Sequence, residues 1–143
     1  MALGPRKARP FSLRLTPRLE RFVREEARRT RRSQGAVVES LADEAMRCRR
    51  FPGIAFRGSD WARRAWVIGT SLDVWEIVEA FQSYGAIGPM MADSDLTERQ
   101  IKVALAYHDE YREEIDAAIE ENRRPLDDLR RAYPTIDVIE VHE

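Results

Sequence analysis

The chain has 143 residues and a formal net charge of −1, from 24 Lys/Arg against 25 Asp/Glu. That length suits one ordinary domain or two very small ones and excludes a large multidomain enzyme. A single cysteine, Cys48, excludes an internal disulfide framework, two histidines are too few for a Cys/His zinc site, and no apolar run reaches membrane-spanning length. The basic N-terminus Met1–Lys7 has no apolar stretch behind it, so it is no secretory signal, and the expectation is a cytoplasmic protein without membrane, metal or cofactor.

Phe11, Leu13 and Leu15 alternate with Ser12, Arg14 and Thr16, the period of a half-buried strand. Thr16-Pro17 is a capping residue followed by proline at the first helical position, and Leu19, Phe22, Val23 and Ala27 then recur at helical spacing. Thr30-Arg31-Arg32 reads as a turn, and Ser33 as the N-cap of a second helix with Val37, Leu41 and Ala45 on its apolar face. A lone short strand leaves its backbone groups without partners. No second strand lies nearby in the sequence, which points to pairing with the same strand of another chain. The alternative is an ordinary strand and two amphipathic helices whose arginines only solvate the surface.

The segment from about Arg9 to Arg49 resembles the ribbon-helix-helix family of bacterial DNA-binding proteins, through Phe-x-Leu-Arg-Leu-Thr-Pro, an amphipathic helix, a basic turn and a Ser-capped helix. The resemblance implies a β-α-α dimer whose paired strands enter the major groove with Ser12 and Arg14 toward the bases. Arg14 can donate two hydrogen bonds to guanine O6 and N7. Ser33, Gln34 and Gly35 fall at a helix start suited to a phosphate, and Lys7 and Arg9 supply sequence-independent attraction. Pro10 departs from the polar residue that such proteins often carry there, which leaves the operator sequence open.

Arg49-Arg50-Phe51-Pro52-Gly53 breaks the second helix and marks a boundary. Ile54–Phe56, a polar turn Arg57–Asp60 and Trp61–Val67 read as a β-hairpin. Asp73 and Glu76 form a capping box for a helix that stops at Gly85, the Gly88-Pro89-Met90-Met91 stretch is a candidate short helix, and Thr97 and Gln100 cap a long helix to about Asn122. Pro125 interrupts it; a short helix Leu126–Ala132 and an extended Thr135–Val141 finish the chain. The expected organisation is 1–50, 51–123 and a partner-binding tail 124–143.

The stretch from about Phe51 to Asp116 resembles a small bacterial winged-helix-like family, domain of unknown function 433. The match runs through Val67-Ile68-Gly69-Thr70-Ser71-Leu72-Asp73-Val74, then Gly85, then Leu96-Thr97 with Ile101, Ala104, Leu105 and Tyr107. Ser71 stands where that family usually has arginine. Such proteins look like antitoxins of the VapB kind, encoded beside a PIN-domain ribonuclease toxin. The fold expected for the whole chain is therefore mainly α with short β: a dimeric ribbon-helix-helix followed by a hairpin and a helical winged-helix-like module.

The charge is divided along the chain. Residues 1–70 hold 17 Lys/Arg and 7 Asp/Glu, net +10, and residues 71–143 hold 7 and 18, net −11, which sum to −1. A polyanion suits the first half, and double-stranded operator DNA is the expected partner; packing of the halves on one another is the bland alternative. Catalysis is not expected. Adjacent acids such as Glu113-Glu114 point in different directions on a helix, and Cys48, though set among arginines, has no histidine near it in sequence.

The expected function is a dimeric or higher-order antitoxin of a type II toxin–antitoxin system that represses its own promoter and neutralises a PIN-domain toxin. Arg123, Arg124, Arg130 and Arg131 are the candidates for entering the toxin's carboxylate pocket, because guanidinium pairs bidentately with carboxylates. Helix C-terminal charge compensation is the competing role for each of them. Two other readings stay open. One is a stand-alone dimeric regulator with an acidic oligomerisation module and no toxin; the other is a second DNA contact through the hairpin arginines Arg57, Arg63 and Arg64.

Overall fold

The computed structural model describes residues 9–59, 62–124 and 126–133. Among these residues the protein is mainly helical, with one two-stranded antiparallel hairpin. The order is α1 (Pro17–Thr30), α2 (Gln34–Arg50), β1 (Ile54–Arg57), β2 (Arg64–Val67), α3 (Val74–Tyr84), α4 (Ile87–Ala92), α5 (Glu98–Glu110), α6 (Arg112–Asn122) and α7 (Leu126–Ala132). Among the described residues no helix is long and apolar enough to cross a membrane. The chain forms two compact units, one to Asp43 and one from Glu44, so the division falls inside α2 rather than after it.

In the first unit α1 opens at extended Thr16 with Pro17 in its first turn, as the Thr-Pro pair predicts, although the Thr16 hydroxyl makes no capping bond. Arg31 ends α1 in the left-handed region (φ 54°), its backbone N–H reaching the Ala27 carbonyl. Ser33 caps α2 by accepting from the Ala36 N–H at 3.1 Å. Val23, Ala27 and Val37 form the core, with Leu15, Val38 and Leu41 against it.

The expected strand Phe11–Thr16 is not formed. The segment carries no ladder, and among the described residues α1 and α2 precede the strands, so the β-α-α order of a ribbon-helix-helix is not shown. The physical reason is the want of a partner among the described residues: a ladder needs a second strand, and β1 and β2 pair with each other, Ile54 opposite Val67 through Arg57 opposite Arg64.

The second unit packs α3 across α4, α5 and α6, with the hairpin laid against α3 and α5 through β2. Its core joins Phe51, Ile54 and Val67 to Ile77, Met90, Ile101, Tyr107, Ile115 and Ile119. The first hairpin strand runs one residue beyond Phe56 and the second begins only at Arg64, and Gly58 turns the chain at φ 105°, where a Cβ would clash with the Ala62 carbonyl oxygen. Both capping boxes are present, Asp73 with Glu76 and Thr97 with Gln100, and Gly85 closes α3 in the left-handed region.

The candidate short helix after Gly85 is formed as α4, and α7 covers Leu126–Ala132 as expected. One helix expected from Thr97 to Asn122 is instead two. Tyr111 leaves helical geometry (φ −114°, ψ 43°), and α6 starts afresh at Arg112. The break sets the Tyr111 ring against Tyr107, centroids 4.7 Å apart.

Candidate functional site

The first unit carries the residues expected to meet DNA. Arg9, Ser12 and Arg14 are exposed, as are Ser33, Gln34 and Gly35 at the start of α2. Lys7 lies outside the described residues. An open groove of about 720 Å³ runs between the N-terminal segment and α2, lined by Arg9, Phe11, Leu13, Leu15, Gln34 and Val38 among others. The groove brings Arg9 together with Gln34 and Gly35, while Ser12 and Arg14 do not line it. Its walls are apolar where a lone chain meets water: Phe11 is 84% exposed and Leu13 58%. Leu19 and Phe22 on α1 are also partly exposed, at 42% and 47%.

The first unit also exposes many basic side chains. Arg18, Arg21, Arg24 and Arg28 are exposed on α1. Arg29 is held by Glu26 (2.7 Å), whereas Arg32 turns inward to the Ser40 hydroxyl (3.0 Å) and to Thr30 (3.3 Å). Arg32 therefore braces the turn between α1 and α2 from the side of the chain.

The second unit holds a polar centre that the sequence did not disclose. The Arg47 guanidinium lies over the Tyr111 ring, 3.9 Å from its centroid, and donates to the Tyr107 hydroxyl and to Glu114, each at 2.7 Å. Tyr107 in turn donates to Glu114 at 3.2 Å. Burial pushes the Tyr107 phenol well above its ordinary value; the hydrogen bond from Arg47 pulls it down and the Glu114 charge pushes it up again. Burial works against the Arg47 charge, but the hydrogen bonds to Glu114 and Tyr107 outweigh it, and the guanidinium is held more firmly protonated than usual. The partners stand 60 and 67 residues from Arg47 in the chain, and no local signal links them. This is a structural brace, in which Tyr107 is both packed and hydrogen-bonded.

A second centre is built on Asp73, whose side chain is only 4% exposed. Besides capping α3, it accepts from Arg57 at 2.8 Å and pairs with Arg64 at 3.2 Å. Arg57 also donates to the Ser71 carbonyl (2.8 Å) and lies 5.4 Å from the Trp66 ring centroid. Arg63 pairs with Glu44 and reaches the Gly58 carbonyl at 2.9 Å. All three hairpin arginines are thus engaged within the second unit.

The Gly69-Thr70 motif is a local turn. The Thr70 hydroxyl donates to the Val67 carbonyl (2.8 Å) and accepts from the Leu72 N–H (3.0 Å), and the Trp66 indole donates to the Thr70 carbonyl (2.7 Å). These bonds join β2 to the start of α3, which explains the residue types at that spacing without any ligand.

The four candidate toxin-binding arginines are not gathered into one site. Arg123 pairs with Glu79 (2.9 Å), Arg124 with Glu121 (3.3 Å) and Arg131 with Asp128 (3.8 Å), and Arg130 is exposed on α7. Arg123 joins the end of α6 to α3, whereas the other two pairs are local. The extended segment Thr135–Val141 lies outside the described residues. Cys48 is a free thiol, half-buried on α2, and among the described residues no three His, Cys, Asp or Glu side chains gather as a metal site would require.

No protein-family model, no curated protein and no solved structure matches this chain.

Proposed function

We propose that the chain is the antitoxin of a type II toxin–antitoxin pair, a dimer that binds its own promoter through the first unit and a PIN-domain ribonuclease through the second. The observation that carries the DNA-binding half is the uncovered apolar surface of the first unit. A core of Val23, Ala27 and Val37 is small for a unit of this length, and Phe11 and Leu13 stand exposed beside a groove. Pairing of Phe11–Thr16 with the same segment of a second copy covers that surface and supplies the missing ladder. It yields a ribbon-helix-helix with Ser12 and Arg14 on the opposite strand positions. The net charge of +10 over residues 1–70 suits the phosphate backbone.

The acidic second half of the chain, net −11 over residues 71–143, supports the toxin-binding half. The test is twofold. Light scattering of the purified chain is expected to find a dimer, with gel-shift binding to the chain's own promoter. Co-expression with a PIN-domain ribonuclease encoded beside it is expected to yield a complex without nuclease activity. A folded monomer overturns the first part, and an active nuclease in the presence of excess chain overturns the second.

A stand-alone dimeric regulator is the second reading, and one observation favours it. Arg123, Arg124 and Arg131 already pair with carboxylates of their own chain, so entering a toxin pocket requires breaking those pairs. Absence of any PIN-domain reading frame beside this one favours that regulator.

A further inference from the structure

We propose that the arginine face of α1 is a docking surface for the acidic face of α6 on a second copy of this chain. Arg21, Arg24, Glu25 and Arg28 line a hollow of about 440 Å³ on α1. Arg21 and Arg28 lie two turns apart on one side of the helix, a rise of about 10 Å. Neither side chain has an ion pair or hydrogen bond among the described residues. Arg24 stands between them and pairs with Glu20 at 3.3 Å.

Helix α6 carries the same spacing with the opposite sign. Glu113 and Glu120 are exposed, again two turns apart, and have no side-chain partner among the described residues. Asp116 stands between them, half-exposed, with one oxygen 2.7 Å from the His108 Nε2. Two helices laid side by side can therefore bring Arg21 and Arg28 against Glu113 and Glu120 at the same time, with Arg24 facing Asp116. Charged rows of matched period and opposite sign set register and partner choice between helices.

Glu25 argues for a protein occupant rather than nucleic acid. A carboxylate in the middle of the arginine hollow repels a phosphate backbone, whereas a helix face with gaps between its acids accommodates it. The contact joins different surfaces of the two copies, so it adds chains to whatever state the apolar groove has already formed. It does not depend on DNA binding or on a toxin.

The test is sedimentation of the full chain at about 50 mM and about 500 mM salt, where screening lengths differ several-fold. A heavier species at low salt that disappears at high salt is expected. Arg21→Glu/Arg28→Glu and Glu113→Arg/Glu120→Arg, each alone, are expected to abolish it, and mixing the two variants to restore it, since each then presents what the other lacks. All four positions are exposed and free of local pairs, so thermal melting is expected to stay at the wild-type value. If a reversal variant melts early, Arg21→Gln/Arg28→Gln and Glu113→Gln/Glu120→Gln are read instead, each expected to lose the salt-sensitive species. A mass independent of salt, or a mixture of reversal variants that stays apart, overturns the proposal. Variants of Arg21 and Arg28 that keep the heavier species but lose DNA affinity assign this face to DNA and overturn it equally.

Discussion

Tyr107 shows how one side chain can serve two ends. Its ring is buried against Phe51 and Tyr111, while its hydroxyl joins Arg47 to Glu114. Tyr107→Phe keeps the ring and removes the bridge, and is expected to cost about 1–3 kcal/mol by urea titration. The raised phenol sets the sign of a pH effect. A group whose folded value lies above its unfolded value stabilises below the unfolded value, about 10 for tyrosine, and that contribution is lost as pH rises through the folded value. Wild-type stability is therefore expected to fall in alkaline solution by more than that of Tyr107→Phe. Equal slopes for the two proteins dissociate the phenol from the effect. In the first unit, Arg14→Ala is expected to lose operator discrimination by about 1–3 kcal/mol if its contact is bidentate. Neutralising Arg9 is expected instead to weaken specific and random DNA alike and to flatten the salt dependence, read from gel shifts at several salt concentrations. Identical behaviour of the two variants removes the distinction between reading and positioning.

Asp73 ties three elements together. It caps α3, and its carboxylate holds Arg57 of β1 and Arg64 of β2, so the hairpin is fastened to the helix start by one buried acid. The two functions are separable. Asp73→Asn retains an acceptor for the α3 amides but loses the charge opposite two guanidinium groups. Asp73→Ala loses both. The alanine variant is expected to lower stability by about 1–3 kcal/mol, of which a missing cap accounts for about 1, and the asparagine variant by less, as read from urea midpoints. An asparagine variant as unstable as alanine makes the ion pairs, not the cap, the larger part. The division of the expected long helix at Tyr111 belongs to the same scale: Arg47 above the ring and Phe51 beside it (centroids 6.2 Å) fill the space that the break opens.

At the scale of the whole molecule the two units face different tests. Leu13 is 58% exposed in the single chain, so in a monomer Leu13→Asp is close to neutral. If Phe11–Thr16 pairs with a second copy, the same change buries an unpaired charge and is expected to abolish the dimer and DNA binding together, seen by light scattering and gel shift. In the second unit the core runs as far as Ile119, and Arg123 closes α6 onto Glu79. Deleting residues 124–143 is therefore expected to leave the dimer and basal DNA binding in place while abolishing toxin neutralisation. A truncated chain that still neutralises moves the inhibitory surface to the folded unit.

Much of the local structure was legible in the sequence because its causes are local. The Asp73 and Thr97 capping boxes, the Ser33 cap and the Gly85 stop act over three or four residues, and all are present in the fold. The charge division between the halves was likewise visible from residue types alone. What depended on distant partners was not. The Arg47–Tyr107–Glu114 brace comes from side chains some sixty residues apart, which no window of sequence links. Nor do residue types say which arginines carry their own carboxylates. Arg57, Arg64 and Arg123 read as free cations along the chain, and the tertiary structure spends them on Asp73 and Glu79. The proposed pairing of Phe11–Thr16 lies beyond both, because among the described residues its backbone groups meet no second strand.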